Sequence, residues 1–272
     1  MKPDLQRRVQ RYGWDKAANY YEKSWQEQLK PAHDHLMKIA NIQSGETILD
    51  IAAGTGLITF RMANMTGSTG KILATDISDE MVKIGTQHAQ SKNLTNVRFE
   101  RMDGENLTYE DNSFDLVTCA LGLMYFPEPE VSLKEMYRVL KPDGRAVVAV
   151  WGSRKKCGWS EIFPIVDKRV SSDVCPMFFN LGESEVIKYP FENAGFKDIY
   201  IHKIESKLMY STIEEACEAS FLGGPVAMAY ARFDEATRKA AEMEYINSIE
   251  PYKKDNGYEI PGEFVICSGV KN

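Results

Sequence analysis

Apolar runs alternate with amphipathic stretches along the first half of the chain. Short runs at 47–51, 71–76, 96–101, 113–120 and 145–151 have the length and β-branched content of strands covered on both faces. Between them, apolar side chains recur three or four positions apart, which is typical of helices packed on a sheet. This alternation predicts βαβ units and therefore a doubly wound, mostly parallel sheet of the α/β class.

The two ends of the chain show a different pattern. Residues 1–44 are helical in character and rich in aromatic side chains, and Pro31 is expected to open a second helix there. After the fifth strand, a less regular segment at 152–179 precedes further helices and strands. We predict one domain with an N-terminal helical lid (1–44), a core (45–152) and a C-terminal part (153–272) that completes the sheet and adds helical cap insertions.

Composition narrows the class of protein. Apolar residues make up 43% and charged residues 26%, which supports a full core, and the net charge of -6 disfavours a nucleic acid as partner. No apolar run has the length of a membrane span, and the N-terminus lacks the apolar core of a signal peptide, so we expect a cytoplasmic protein. The five cysteines and four histidines show no spacing typical of a metal site.

One turn carries the sharpest chemical information. Asp50 ends the first predicted strand, and the small residues Ala52, Gly54 and Gly56 follow before a helix begins near Leu57. Small residues let the backbone approach a ligand closely, and a helix start adds free N–H groups. A carboxylate in this place favours a ligand with an ammonium or sulfonium group over a pyrophosphate.

Two further acids repeat this arrangement. Asp76 and Asp103 follow the second and third predicted strands, and ligands bind outside the carboxyl ends of strands in such sheets. A dinucleotide-binding turn would have a third small residue where Thr59 stands. A nicotinamide-dependent oxidoreductase is therefore an alternative against which Asp50 and Thr59 both speak.

The segment 50–56, Asp-Ile-Ala-Ala-Gly-Thr-Gly, resembles the first motif of class I S-adenosylmethionine-dependent methyltransferases. Segments 102–105, 113–117 and 140–145 resemble further motifs, so the resemblance covers the predicted core. It is closest to the quinone-biosynthesis-like branch, methyltransferase type 11, whose members act on small molecules. The family usually has glycine where this chain has Ala52, and the next smallest residue leaves the interpretation unchanged.

The resemblance implies a Rossmann-like sheet of seven strands and S-adenosyl-L-methionine as cofactor. It implies that Asp76 binds the ribose hydroxyls, and that Asp103 binds the adenine amino group beside a backbone N–H of Met102 or Gly104. It also implies that Asp50 helps to hold the ammonium group, directly or through water. The predicted cofactor-binding residues are Tyr20, Asp50, Ala52, Gly54, Thr55, Gly56, Asp76, Ile77, Met81, Met102, Asp103, Gly104, Ala120 and Leu121.

The catalytic residues stay open at this point. A nucleophile that carries a proton needs a base, and the candidates are Tyr20, Tyr21, His33 and Tyr125. Tyr125 follows the fourth strand, where the acceptor is expected, and the alternative is that it packs the pocket wall. Tyr20 and Tyr21 are adjacent and face different directions on a helix, so one can look into the cofactor crevice while the other packs.

We therefore predict methyl transfer by in-line displacement to a small, aromatic or apolar acceptor with an O, N or C nucleophile. A roof of aromatic residues from lid and cap supports this, with Phe178, Phe179, Phe221, Met228 and Tyr230 as lining candidates or, alternatively, as the cap's own core. The alternative functions are the nicotinamide-dependent oxidoreductase and a non-catalytic S-adenosylmethionine-binding module. The acceptor's identity and a possible homodimer stay open.

Overall fold

A computed structural model describes residues 2–170, 175 and 177–272 of the 272-residue chain. Part of the irregular segment predicted at 152–179 therefore lies outside the described residues. In the described part, helices flank one twisted, mostly parallel sheet. The predicted α/β class and its Rossmann-like architecture are confirmed.

Eight strands form in the described part of the chain. They are β1 (Thr47–Ile51), β2 (Lys71–Asp76), β3 (Val97–Arg101), β4 (Phe114–Ala120), β5 (Leu140–Trp151), β6 (Lys197–Tyr210), β7 (Lys253–Lys254) and β8 (Gly257–Val270). Seven of them follow the order β3-β2-β1-β4-β5-β8-β6, and the two-residue β7 pairs with β8. The first five strands pair in parallel, whereas β8 is antiparallel to both of its neighbours.

Helices connect these strands. They are α1 (Pro3–Ala40), α2 (Thr59–Thr66), α3 (Asp79–Ser91), α4 (Pro129–Val139), α5 (Ile162–Asp167), α6 (Lys188–Ala194), α7 (Ile213–Phe221), α8 (Ala227–Tyr230) and α9 (Glu235–Ile249). A break at Gly223, Gly224 and Pro225 separates α7 from α8. Within the described ranges, no helix combines the length and apolarity that a membrane crossing requires.

The N-terminal helix differs from the prediction. Pro31 lies inside a single helix of 38 residues, α1, and does not open a second one. A proline in a helix interior removes one backbone hydrogen bond and crowds the preceding turn, at a cost of roughly 3 kcal/mol. The helix continues because its inner face is buried on both sides of the proline, by Trp25 and Leu29 before it and Leu36 after it.

One cluster of buried apolar side chains joins the parts of the chain. It contains Leu36 of α1, Ile48 of β1, Val148 of β5 and Tyr245 of α9, all fully buried. The central strands are covered on both faces, as their continuous apolar runs indicate. The division into lid, core and C-terminal part stays a prediction about domains, and the structure shows that all three contribute to this cluster.

Strand β6 lies at one edge of the sheet. Gln28 of α1 reaches this edge, where its side-chain amide donates to the carbonyl oxygen of Met209 at 2.6 Å. The same amide accepts the N–H of Met209 at 2.7 Å. The amide thereby satisfies both backbone polar groups at a position where no further strand follows.

Candidate active site

A cavity lies at the carboxyl ends of β1 to β5, beneath the first three quarters of α1. Its volume is about 940 Å³, including the space at its opening to solvent. This is the edge of an α/β sheet at which ligands bind. Helix α1 covers it with a row of side chains, Arg7, Gln10, Trp14, Tyr21, Trp25 and Leu29.

The cavity has two chemically different halves. The acidic half lies at the ends of β1 to β3, and we define it by Gly54, Asp76, Ile77, Met81, Met102, Asp103, Gly104 and Glu105. The aromatic half lies towards β4 and β5, and we define it by Trp14, Trp25, Leu29, Met124, Tyr125, Trp151, Trp159 and Pro225. Ala52, Ala120, Leu121 and Tyr21 lie between the two.

Asp76 holds the glycine turn from the end of β2. One of its carboxylate oxygens accepts the N–H of Gly54 and the other that of Ser78, each at 2.9 Å. Burial raises the pKa of Asp76 to about 6, against the opposing effect of these backbone hydrogen bonds. Each oxygen keeps a second lone pair, so the carboxylate fits two neighbouring hydroxyl groups such as those of a ribose.

Two acids after β3 tie α1 to the acidic half. The Nε atom of Arg7 lies 2.8 Å from Glu105 Oε2 and 3.1 Å from Asp103 Oδ2. Burial raises the pKa of Glu105, although Arg7 and the N–H of Glu128 hold its charged form. Asp103 therefore lies in the cavity wall, as predicted, but Arg7 of the lid already contacts one of its oxygens.

Asp50 lies beneath the turn and outside the cavity wall. The hydroxyl of Thr59 donates to its Oδ2 at 2.6 Å, and the hydroxyl of Thr118 donates to its Oδ1 at 2.8 Å. The side chain is fully buried, which raises its pKa to about 6. A direct contact between Asp50 and an ammonium group in the cavity is not available in this geometry.

The lining of the cavity includes most of the predicted cofactor-binding residues. Beside Asp76 and Asp103, these are Ala52, Gly54, Ile77, Met81, Met102, Gly104, Ala120 and Leu121. The backbone N–H of Met102 donates to the carbonyl oxygen of Asp76 at 2.9 Å. Of the two backbone donors predicted for an adenine ring, Gly104 is therefore the one left for a ligand.

Three predicted residues lie outside the lining, in addition to Asp50. Thr55 and Gly56 shape the turn from behind, where a Cβ on Gly56 would meet the rings of Phe60 and Phe99. Tyr20 is 39% exposed, and the neighbouring Tyr21 lines the cavity instead. Of this adjacent pair, Tyr21 is therefore the residue that faces the crevice, and the structure places Tyr20, the predicted cofactor-binding residue, outside the cavity.

Two non-glycine residues of the cavity lining have left-handed backbone. Ala52 has a φ of 54° and Leu121 a φ of 62°. The neighbouring Gly122 leaves no room for a side chain, because a Cβ there would lie 2.4 Å from the Cβ of Ala52. The departure from glycine at position 52 is thus accommodated at a backbone cost of roughly 1–2 kcal/mol.

The candidate bases differ in their positions. His33 lies in a separate surface groove, and its burial lowers its pKa to about 3, so it does not serve the cavity as a base. Tyr21 and Tyr125 line the cavity, but burial raises the pKa of both hydroxyls. They therefore remain protonated near neutral pH and act as hydrogen-bond donors. No cluster in the described part of the chain could hold a metal ion.

All four tryptophans of the sequence line the cavity. The ring centroids of Trp151 and Trp159 lie 4.7 Å apart, and Trp25 lies 6.1 Å from each. Trp14 packs edge-on against Tyr125, with centroids 5.2 Å apart. The place of Trp151 and Trp159 in the cavity wall was not predicted from the sequence.

The aromatic residues that were proposed to line a roof of the cavity lie away from it. Phe178 and Phe179 pack on each other and on Phe163, with centroids 4.7 to 5.8 Å apart. Phe221 packs against Tyr230 at 4.8 Å. These rings, together with Met228, are absent from the cavity lining. The alternative, that the rings form the cap's own core, is correct.

Comparison with known proteins identifies the family. The model of the ubiE/COQ5 methyltransferase family matches residues 24–204, more than half of the chain. The chain belongs to this family. Similar ubiE/COQ5-type proteins include the ubiquinone/menaquinone biosynthesis C-methyltransferase UbiE of Azotobacter vinelandii, 30% identical over 62% of this chain and 72% of that protein. Another is the demethylmenaquinone methyltransferase of Staphylococcus epidermidis, 33% identical over 64% and 78%.

Solved structures share the fold. The YcgJ protein of Bacillus subtilis has a TM-score of 0.63 and 19% identity, covering 89% of this chain and 99% of its own. Phosphoethanolamine N-methyltransferase 2 of Haemonchus contortus, in complex with S-adenosyl-L-methionine, has a TM-score of 0.63 and 18% identity, covering 94% and 57%. At these sequence identities, the similarity between these structures and the present chain concerns the fold alone.

Membership in the ubiE/COQ5 methyltransferase family settles the enzyme class. The protein is an S-adenosylmethionine-dependent methyltransferase that acts on a small molecule, and S-adenosyl-L-methionine is its cofactor. Neither the oxidoreductase nor the non-catalytic module gains support from these matches. The ubiE/COQ5 match begins at residue 24, so Arg7, Gln10, Trp14 and Tyr21 of the cavity wall lie outside it.

Proposed function

We propose that the protein methylates a flat, oxygen-bearing aromatic ring of the quinone type, taken as its phenol or hydroquinone. The observation that carries this proposal is the aromatic half of the cavity. Its lining has four tryptophans and, among the described residues, no charged side chain. Flat aromatic walls bind flat aromatic ligands by stacking and edge contacts. The names of the similar curated proteins point to the same acceptor class.

The cofactor fits the acidic half. We propose that Asp76 accepts hydrogen bonds from the ribose hydroxyls, and that Asp103 and the N–H of Gly104 bind the adenine edge. Asp50 would hold the turn through Thr59 and Thr118 and contribute negative potential near the ammonium group. When bound, S-adenosylmethionine supplies an activated methyl group. An electron pair of the acceptor forms the new bond to this methyl group, and the electron pair of the broken C–S bond stays on sulfur.

The protein's own residues orient the acceptor and exclude water. Because Tyr21 and Tyr125 stay protonated, the acceptor must itself be nucleophilic, as an ionised phenol or hydroquinone is. Helix α1 covers the cavity and shields the reaction from solvent. Proximity and orientation of this kind supply on the order of 7–11 kcal/mol in favourable cases.

The experiment is turnover of methyl-labelled cofactor against matched acceptors. The panel contains a 1,4-naphthohydroquinone, a simple phenol and phosphoethanolamine. We expect label in the hydroquinone, less in the phenol and none in the amine, because the aromatic half has no carboxylate for an ammonium group. Methylation of the amine alone would contradict the proposal.

Two predictions, on the cellular location and on the oligomeric state of the protein, remain to be tested. The cytoplasmic location and the homodimer are expectations from the sequence. Fractionation of cells that produce the protein would test the first, and light scattering during size-exclusion chromatography would test the second.

A further inference from the structure

The indole N–H of Trp159 is buried without a hydrogen-bond partner among the described residues. The hydroxyls of Tyr21 and Tyr125, which also belong to the cavity wall, make no hydrogen bond to another described residue. Trp159 is only 2% exposed and Tyr125 only 9%. The indole N–H of Trp25 differs, because it donates to the carbonyl oxygen of Gly223 at 2.9 Å. Buried donors without partners are costly, and such exceptions call for an explanation.

Tyr125 and Trp159 belong to one stretch of wall. Both rings pack on Phe178, with centroid distances of 5.3 Å for Tyr125 and 5.7 Å for Trp159. Tyr21 packs on Trp14 instead, with centroids 5.8 Å apart, and lies over the turn, where a Cβ on Gly54 would be 3.3 Å from its ring. The two donors of the aromatic half are therefore neighbours through a shared packing partner, whereas Tyr21 covers the glycine turn.

The surroundings of this pair contain little that could accept its hydrogen bonds. The nearby Gln10 donates its amide to Cys175 Sγ at 3.1 Å, and Gln6 donates to the backbone carbonyl of Tyr125 at 3.2 Å. No carboxylate belongs to the aromatic half in the described part of the chain. This half therefore has donors to offer and suits an occupant with acceptor oxygens.

We propose that Tyr125 and Trp159 donate hydrogen bonds to an oxygen atom of the methyl acceptor. The pair thereby selects oxygen-bearing rings over plain hydrocarbon rings and over amines. This inference rests on the proposed function and adds the two residues that determine specificity. Cofactor binding needs neither of them, because both lie outside the acidic half.

The test compares two ligands that differ by one oxygen, 1-naphthol and naphthalene. Each is titrated calorimetrically into the full chain saturated with S-adenosylhomocysteine. We expect Tyr125→Phe and Trp159→Phe each to weaken 1-naphthol binding by about fivefold, the effect of one hydrogen bond. Naphthalene affinity should change by less than about twofold in Tyr125→Phe, since the ring is kept.

Tyr189→Phe is the matched control, because it deletes a tyrosine hydroxyl on the exposed surface of α6, outside the cavity lining. It should leave 1-naphthol affinity unchanged. The affinity of all three variants for S-adenosylhomocysteine shows that they are folded. In turnover, Tyr125→Phe should raise the acceptor KM more than it lowers kcat.

The outcomes separate the two proposals. If the wild type binds and methylates oxygen-bearing rings but Tyr125→Phe and Trp159→Phe bind 1-naphthol as tightly, this inference is overturned and the proposed function stands. If the wild type binds neither naphthalene nor 1-naphthol and methylates no such ring, both are overturned. Equal loss of 1-naphthol and naphthalene affinity in Tyr125→Phe would assign the residue to packing alone and also overturn the inference.

Discussion

The acidic and aromatic halves of the cavity are built in different ways. The acidic half takes its side chains from the ends of three neighbouring strands, within residues 54–105. The aromatic half collects side chains from α1, from the ends of β4 and β5, and from the distant Trp159 and Pro225. One half is a local feature of the sheet, whereas the other exists only after the whole chain has folded.

Under the proposed function, this difference separates the residues that recognise the cofactor from those that recognise the acceptor. The acidic half lies entirely within the stretch that matches the ubiE/COQ5 family. The aromatic half includes Trp14 and Pro225, which lie outside that stretch on either side. The proposed acceptor side of the cavity therefore includes residues outside the family match, whereas the proposed cofactor side does not.

The largest expected effect comes from Asp76→Ala, which should break the acidic half alone. Loss of charge-assisted hydrogen bonds should weaken S-adenosylhomocysteine binding by roughly 1.5–3 kcal/mol, about 10- to 150-fold. Calorimetry measures it, with 1-naphthol affinity expected to stay near the wild-type value. Glu80→Ala, which removes a carboxylate that pairs with Lys83 on the outside of α3, is the control. Wild-type affinity in Asp76→Ala would remove this residue from the site.

Lowering the pH should weaken ligand binding in the acidic half and leave binding in the aromatic half unchanged. The pKa of Asp76 is raised to about 6, so the ligand-free protein takes up a proton below that pH and must release it to bind the cofactor in the ionised form. Affinity for S-adenosylhomocysteine should fall by up to about tenfold per pH unit below 6. Binding of 1-naphthol should stay constant, because burial raises the pKa of Tyr125 away from this range.

The control for this pH dependence is Asp76→Asn. It should bind more weakly at neutral pH and lose most of the slope, and Asp50, whose pKa is also raised to about 6, should account for the rest. A cofactor affinity that is the same at about pH 5 and about pH 8 would contradict the assignment of Asp76.

A smaller effect should come from the contact between lid and acidic half. Arg7→Ala removes the ion pairs with Asp103 and Glu105 and leaves the buried Glu105 with the N–H of Glu128 but without a cationic partner. We expect a loss of about 1 kcal/mol in S-adenosylhomocysteine affinity, because Arg7 is itself a quarter exposed and solvent weakens the pairs. Arg8→Ala changes the adjacent exposed arginine and should have no effect. Equal behaviour of the two variants would show that the lid contact is irrelevant to the cofactor.

Much of the fold could be predicted because its signals are local. The runs of β1 to β5 and the acids at their ends follow from a few neighbouring residues each. Pro31 misled the prediction because the burial of α1 along the sheet, a tertiary effect, outweighs the local preference of proline. The short β7 has two residues and no distinctive pattern.

The site, like the fold, could be predicted only where its residues follow from local sequence. Asp76 and Asp103 lie where their strand ends place them, whereas the direction of Asp50 depends on Thr59 and Thr118, two partners far apart in sequence. A helix pattern shows that Tyr20 and Tyr21 face different sides but not which side meets the sheet. Trp151 and Trp159 join Trp25 only through long-range packing, so no local pattern could assign them to the cavity.

The amide of Gln28 has a consequence beyond the shape of the fold. At Met209 it makes the two hydrogen bonds that the strand of another molecule would otherwise make. Open edge strands recruit neighbouring chains and start aggregation, and lysines along an edge discourage this. Lys197, Lys203 and Lys207 lie on the same strand. Together with these lysines, Gln28 opposes strand pairing between molecules at the edge of the sheet farthest from β3.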